Sequence, residues 1–185
     1  MSGSGHPQAL SLTDSSATFA AAVAAGRPPR QVVRGLWLFA PNRHTQGGSS
    51  WWLQGDAALG RPPLLVDAPA FTTANLEFLR ERASGTLLVL TSREGHGEAI
   101  RWQRELGLTV VLQQQEAYLL PGVDGLQCFD ERHGLGEGVQ LLWTPGPTPG
   151  VCVLHVRGGS GLDGLFCGRL LVPVCWFSGE HRTSR

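Results

Sequence analysis

The chain contains no lysine. All fifteen of its basic residues are arginines, and fifteen Asp and Glu balance them. With no net charge there is no broad basic field to draw in a nucleic-acid backbone or an anionic membrane surface, so neither is an expected partner. The arginine bias itself carries no mechanistic weight. Long apolar runs are missing too: nothing approaches the roughly 20 consecutive apolar residues of a membrane span. Phe19–Ala25 has the composition of a leader core, but no Lys or Arg precedes it. The four cysteines, Cys128, Cys152, Cys167 and Cys175, show no CxxC spacing. Three of them lie in apolar runs, where a free cysteine acts as a small hydrophobe. These absences argue against a zinc knuckle or a disulfide frame and predict a cytoplasmic protein without membrane insertion. No stretch repeats internally.

What is present is enough for one folded domain: 185 residues, 42% hydrophobic and 16% charged. Residues 1–30 read as an N-terminal extension in which an alanine-rich helix runs from Thr13 or Ser16 to Ala25. Residues 31–177 form the domain, and 178–185 are a polar C-terminal tail. Strands are expected at Arg34–Ala40, Ser50–Gln54 and Leu64–Asp67. The period then shifts to 3.6 residues. Thr72 or Thr73 caps a helix to Ala83, and a second helix covers Gly97–Leu106 and stops at Gly107. Leu87–Leu90 is a short, wholly apolar strand of the kind buried on both faces. Thr109–Leu112 follows, with one helical turn at Gln115–Leu119 and loops over Pro121–Gly138. The series ends with strands at Val139–Trp143, Val151–Val156, Gly164–Cys167 and Leu170–Val174. In the second strand, alternation sends one of Trp51 and Trp52 to the core and the other outward.

The pattern of strand pairs, βαβ units and terminal hairpins predicts a mixed α/β domain. About nine short strands fit two sheets with helices outside better than one open sheet. The chain is organised around Leu141–Leu171. There the loop Thr144–Gly150, with prolines at 145, 147 and 149, can be neither helix nor central strand. It is a stiff, shaped connection between two apolar strands.

Three local patterns, in this order, resemble the metallo-β-lactamase fold superfamily, in its short glyoxalase-like hydrolase branch. They are Leu90-Thr91 closing a buried strand before a polar loop, Pro145-Gly146-Pro147-Thr148-Pro149-Gly150, and Leu165-Phe166-Cys167-Gly168. They are similar to that family's LTH…DH, PGHTPGS and LF(T/S)GD motifs, and the resemblance covers residues 34 to 171. It implies an abbreviated αββα sandwich of two mixed β-sheets with outer helices, around a site for one or two metal ions.

The departures carry the functional reading. Ser92 and Gly95 stand where the resemblance expects histidines, and Glu94 where it expects an aspartate. Pro147 replaces the histidine of the second motif, and Arg169 the metal-bridging aspartate of the third. Proline and glycine side chains ligate nothing, and a guanidinium has the same sign of charge as the ion. Glu94 and His96 alone keep ligating chemistry, and a catalytic zinc takes about three protein ligands. The vestigial site is therefore Ser92, Glu94, Gly95, His96, Pro147 and Arg169, with no catalytic residue, no cofactor and the zinc lost. His96 reads as a solvent-exposed helix-end histidine, or by a one-residue register change as a pocket residue. Arg169 either pairs with Glu94 or holds an anionic ligand. His6, His44, His133, His155 and His181 show no ligand spacing. The resulting expectation is a catalytically inactive protein acting as a binding or assembly partner, through a protein partner or self-association. The alternatives are a divergent metallo-hydrolase of esters or thioesters, and a binder of a small anion in the vestigial cleft.

Overall fold

The structure is a computed structural model that describes residues 24–158 and 162–171. Thirteen elements follow in order: β1 Arg30–Val33, β2 Leu36–Leu38, β3 Trp51–Leu53, β4 Leu64–Val66, α1 Thr73–Arg80, β5 Leu87–Val89 and α2 Ala99–Leu106, then β6 Thr109–Gln113, β7 Gln127–Phe129, β8 Arg132–Gly134, β9 Val139–Trp143, β10 Cys152–Val156 and β11 Gly164–Phe166. Short 3-10 turns lie at Arg43–Thr45, Ala57–Leu59, Arg93–Gly95 and Gln114–Leu119.

Strands β1 to β7 form one sheet in sequence order. The first four pair antiparallel because turns join them. From β4 onward the pairing is parallel, since α1 and α2 carry the chain back between strands. The second sheet has the order β11-β10-β9-β8 and is antiparallel in every pairing, where two mixed sheets were expected. Its strands are neighbours in sequence order.

Both faces of the first sheet are covered. Leu65, Leu88, Val110 and Leu112 pack with Leu79 of α1 and Trp102 of α2 in one core. Leu64, Val66, Val89 and Val111 pack with Leu141 and Leu154 of the second sheet in another. Burial on both sides is why these strands are apolar without alternation. Each fully buried Val or Leu contributes about 1.5–3 kcal/mol from removal of apolar surface. Among the described residues no helix packs on the outer face of the second sheet, so three of the four expected layers are seen.

The helix ends follow from local chemistry. Thr72 Oγ1 accepts from the Asn75 amide at 3.4 Å to open α1, and α2 ends on Gly107 at φ 63°. Trp102, wholly buried, donates its Nε1–H to Pro69 O at 2.8 Å, which fixes α2 against the loop after β4.

Several expectations are corrected. The strand expected at Arg34–Ala40 is only Leu36–Leu38, because Arg34 and Gly35 turn the chain with Gly35 at φ 81°. Before it, Arg30–Val33 is an exposed edge strand that no apolar run announced. The loops expected over Pro121–Gly138 contain β7 and β8. Both are three residues long and largely exposed, so neither has an apolar run to announce it. Neither Trp51 nor Trp52 points to solvent. Trp52 enters the helix-side core, and Trp51 packs edge-on against Phe166 with centroids 5.8 Å apart. Leu170 and Leu171 lie in a turn, with Leu170 N donating to Cys167 O at 2.9 Å. The rest of the strand expected there, most of the N-terminal helix and the 178–185 tail lie outside the described residues. No described helix is long and apolar enough to cross a membrane.

Candidate functional site

The loops at one end of the strands converge on Asp67, the residue after β4. Its φ is 56°, a left-handed backbone rare outside glycine. Its carboxylate accepts from the Thr91 amide at 2.8 Å and from the Thr91 hydroxyl at 3.0 and 2.8 Å. Desolvation by burial pushes the Asp67 carboxyl up from 3.8 to about 6; the Thr91 hydrogen bonds oppose this, and the Glu94 charge adds to it.

Two glycines make room for this arrangement. A Cβ on Gly95 would lie 2.5 Å from Asp67 Cγ and closer still to Oδ1. A Cβ on Gly168 would lie 2.9 Å from Thr91 Cβ, and Gly168 also needs φ 49°. Position 95, where the resemblance expects a histidine, is thus filled from outside by an aspartate.

The proline-rich loop is tied down by Glu116, a buried carboxylate in the turn after β6. It accepts from the Thr148 hydroxyl and from the Gly150 amide at 3.2 Å. Gly150 has no room for a side chain, because a Cβ would meet Glu116 Cγ at 2.5 Å. Trp143 closes the loop from its other side, donating to Pro149 O at 2.7 Å. Pro147 follows a cis peptide bond and is exposed. It does not line the small cavity described below, and Thr148 is the residue that turns inward.

A small cavity of about 50 Å³ brings together Ser92, Glu94, Gly95 and Arg169 of the sequence-derived set, with Asp67, Thr45 and Ser49 beside them. Ser92 is buried and makes no side-chain cap bond to the turn it precedes. Glu94 Oε1 lies 3.7 Å from Arg93 Nε, and its Oε2 is buried without a partner. Arg169 does not pair with Glu94: its Nη2 donates to Gln46 O at 3.1 Å.

His96 lies on the other side of the turn, in a groove with Ile100 and Leu120. It is half-buried rather than exposed, and its Nε2 has no partner. Burial pushes its pKa down, against the raising charges of Glu116 and Glu94. Cys152 is buried beneath, its Sγ 3.5 Å from Leu90 O, and burial pushes its thiol far up, so it is inert.

The donor set does not fit a catalytic zinc. Both oxygens of Asp67 are occupied by Thr91, position 95 has no side chain, and Arg169 brings a positive charge to the wall. Among the described residues no three His, Cys, Asp or Glu side chains come together as a metal-binding group.

Sequence reasoning missed Asp67, Thr91 as its partner, and Glu116. Asp67 was visible only as an acid ending an apolar strand, and Glu116 as a lone acid in a short turn. Neither has a local pattern that names its partner.

Two face-to-face sheets with outer helices and a site built from the loops at the strand ends define the metallo-β-lactamase fold. The solved structures that resemble the chain have that fold. Native FEZ-1 metallo-β-lactamase from Legionella gormanii matches with a TM-score of 0.56 and 14% identity, over 86% of this chain and 70% of its own. BJP-1, a subclass B3 metallo-β-lactamase of Bradyrhizobium japonicum, matches at 0.54 and 19%, over 78% of this chain and 63% of its own. A B3 metallo-β-lactamase described as having an active-site glutamic acid matches at 0.53 and 19%, over 74% and 60%. The chain therefore spans less than two thirds of the length of the last two. No protein-family model matches it, and no curated protein matches it significantly.

Proposed function

We propose that this chain is a metal-independent, catalytically inactive protein of metallo-β-lactamase fold that works by binding, as a partner in an assembly. One observation carries this reading. The space that a ligand at position 95 would need is taken by the Asp67 carboxylate, and that carboxylate is committed to Thr91. The position has become part of the fold's packing. Without an ion to acidify a bound water, no hydroxide nucleophile forms near neutral pH. Protein purified without chelator should contain far less than one zinc or iron per chain by elemental analysis. A tightly held ion at about one per chain overturns the reading.

A second reading, a divergent ester or thioester hydrolase, draws support from Glu94 Oε2 and His96 Nε2, both buried and unpartnered. Buried polar atoms left unpaired in this way recur at functional sites. It predicts turnover of an activated ester that a Glu94→Ala, His96→Ala double variant lowers by at least about 100-fold. Activity unchanged in that variant removes the reading.

A further inference from the structure

Beside the small polar cavity lies a larger cleft of about 440 Å³, between the first sheet and β11. Its walls are mainly Leu36, Trp51, Val66, Leu162 and Phe166, and it shares Ser49, Asp67 and Gly168 with the polar cavity. The volume falls within the roughly 300–1,000 Å³ of small-ligand sites, which are mostly apolar with a few placed polar groups.

The polar end decides what such a ligand carries. Its wall holds two acids, Asp67 and Glu94, against one base, Arg169. The base turns one nitrogen to neutral acceptors: Arg169 Nη2 faces Gln46 O at 3.1 Å and Gln46 Oε1 at 3.5 Å. Asp67 is engaged by the Thr91 amide and hydroxyl. The unmet group is an acceptor, Glu94 Oε2, which is buried and has no donor. A carboxylate or phosphate brought here would set further acceptors against Glu94 Oε2 and leave that oxygen without a donor. A protonated amine would supply the missing donor in a charge-assisted hydrogen bond.

We propose that the cleft and its polar end bind an amphipathic primary amine, with the apolar chain against Trp51 and Phe166 and the ammonium group at Glu94. This rests on the metal-free reading of the same cavity, since an ion held at Glu94 would exclude the ammonium.

The test compares n-hexylamine, hexanoate and 1-hexanol, which share a tail and differ in head group, on full-length protein by thermal shift and tryptophan fluorescence. Hexylamine should raise the Tm and perturb the fluorescence at concentrations on the order of tenfold lower than the other two. Glu94→Gln should abolish that preference, leaving hexylamine level with hexanol. Arg169→Gln should keep or strengthen the amine response, and it remains informative if Glu94→Gln does not fold. Hexanoate equal to or better than hexylamine overturns the proposal. So do equal responses to all three probes, no response to any, or loss of the amine response in Arg169→Gln. Elemental analysis of the same sample separates the failures. A bound metal sinks the metal-free reading along with this one, whereas a metal-free sample without amine preference sinks this one alone.

Discussion

Gly95→Ala is expected to destabilise the fold by about 2–4 kcal/mol, as overpacking of a buried polar network does. Gly95 is not in the left-handed backbone region, so an alanine there meets no conformational penalty of its own. Contact alone decides. The new Cβ would lie 2.5 Å from Asp67 Cγ and 3.1 Å from Asp67 Cβ. Asp67 cannot simply swing away, because its carboxylate holds the Thr91 amide and hydroxyl. Thr91 in turn fills the space over Gly168. Moving the carboxylate leaves buried donors unpaired, at about 1–3 kcal/mol each. Urea unfolding followed by tryptophan fluorescence measures the loss. In an Asp67→Ala, Gly95→Ala double variant the two losses should be less than additive by more than about 1 kcal/mol, because the clash is gone. A single variant within about 0.5 kcal/mol of the parent contradicts this packing account. The same contact would obstruct a histidine at 95, so restoring the expected ligand by one substitution should cost stability before it gains a metal.

The second large effect is pH-dependent and belongs to Asp67. Burial raises its carboxyl from 3.8 to about 6 in the folded chain. Below the unfolded value the group is protonated in both states, and it contributes no ionisation cost. Between the two values the folded state holds the proton while the unfolded state releases it, so stability falls as pH rises. Above about 6 the carboxylate is ionised in both states, and the full cost, about 3 kcal/mol, is present. Asp67→Asn cannot ionise, so it isolates this contribution from every other titrating group. The stability of the parent minus that of Asp67→Asn should therefore drop by about 3 kcal/mol from pH 3.5 to pH 7.5. A difference that is flat, or that grows with pH, shows that the Thr91 hydrogen bonds outweigh burial.

Both predictions turn on contacts that local sequence does not express. Asp67 and Thr91 are 24 residues apart, and Glu116 and Gly150 are 34 apart. Each carboxylate also meets a glycine that leaves it room, Asp67 at Gly95 and Glu116 at Gly150. A glycine in a loop signals freedom of φ equally well when its real role is to admit a neighbour's side chain. Pro147 shows the converse. Its place in the motif marked it as part of the site, yet it is exposed, and the adjacent Thr148 makes the inward contact. Glu94 and Arg169 have complementary charges and line one cavity. Arg169 instead took a backbone carbonyl at Gln46, and Glu94 was left beside Arg93.

By itself the sequence determined the class of the fold, the two helices with their Thr72 and Gly107 boundaries, and the doubly buried strands. It also determined that positions 92, 95, 147 and 169 carry Ser, Gly, Pro and Arg, because residue identity needs no structure to be read. These are properties of local pattern and residue chemistry. Only the tertiary structure decided which side chains lie against these loops: Asp67 at Gly95, Thr91 at Gly168, and Glu116 at the proline loop. It also placed an apolar cleft between Trp51 and β11 beside an unpaired carboxylate oxygen. Periodicity records that a residue is buried, whereas the partner it meets is chosen by the packing of strands distant in the chain.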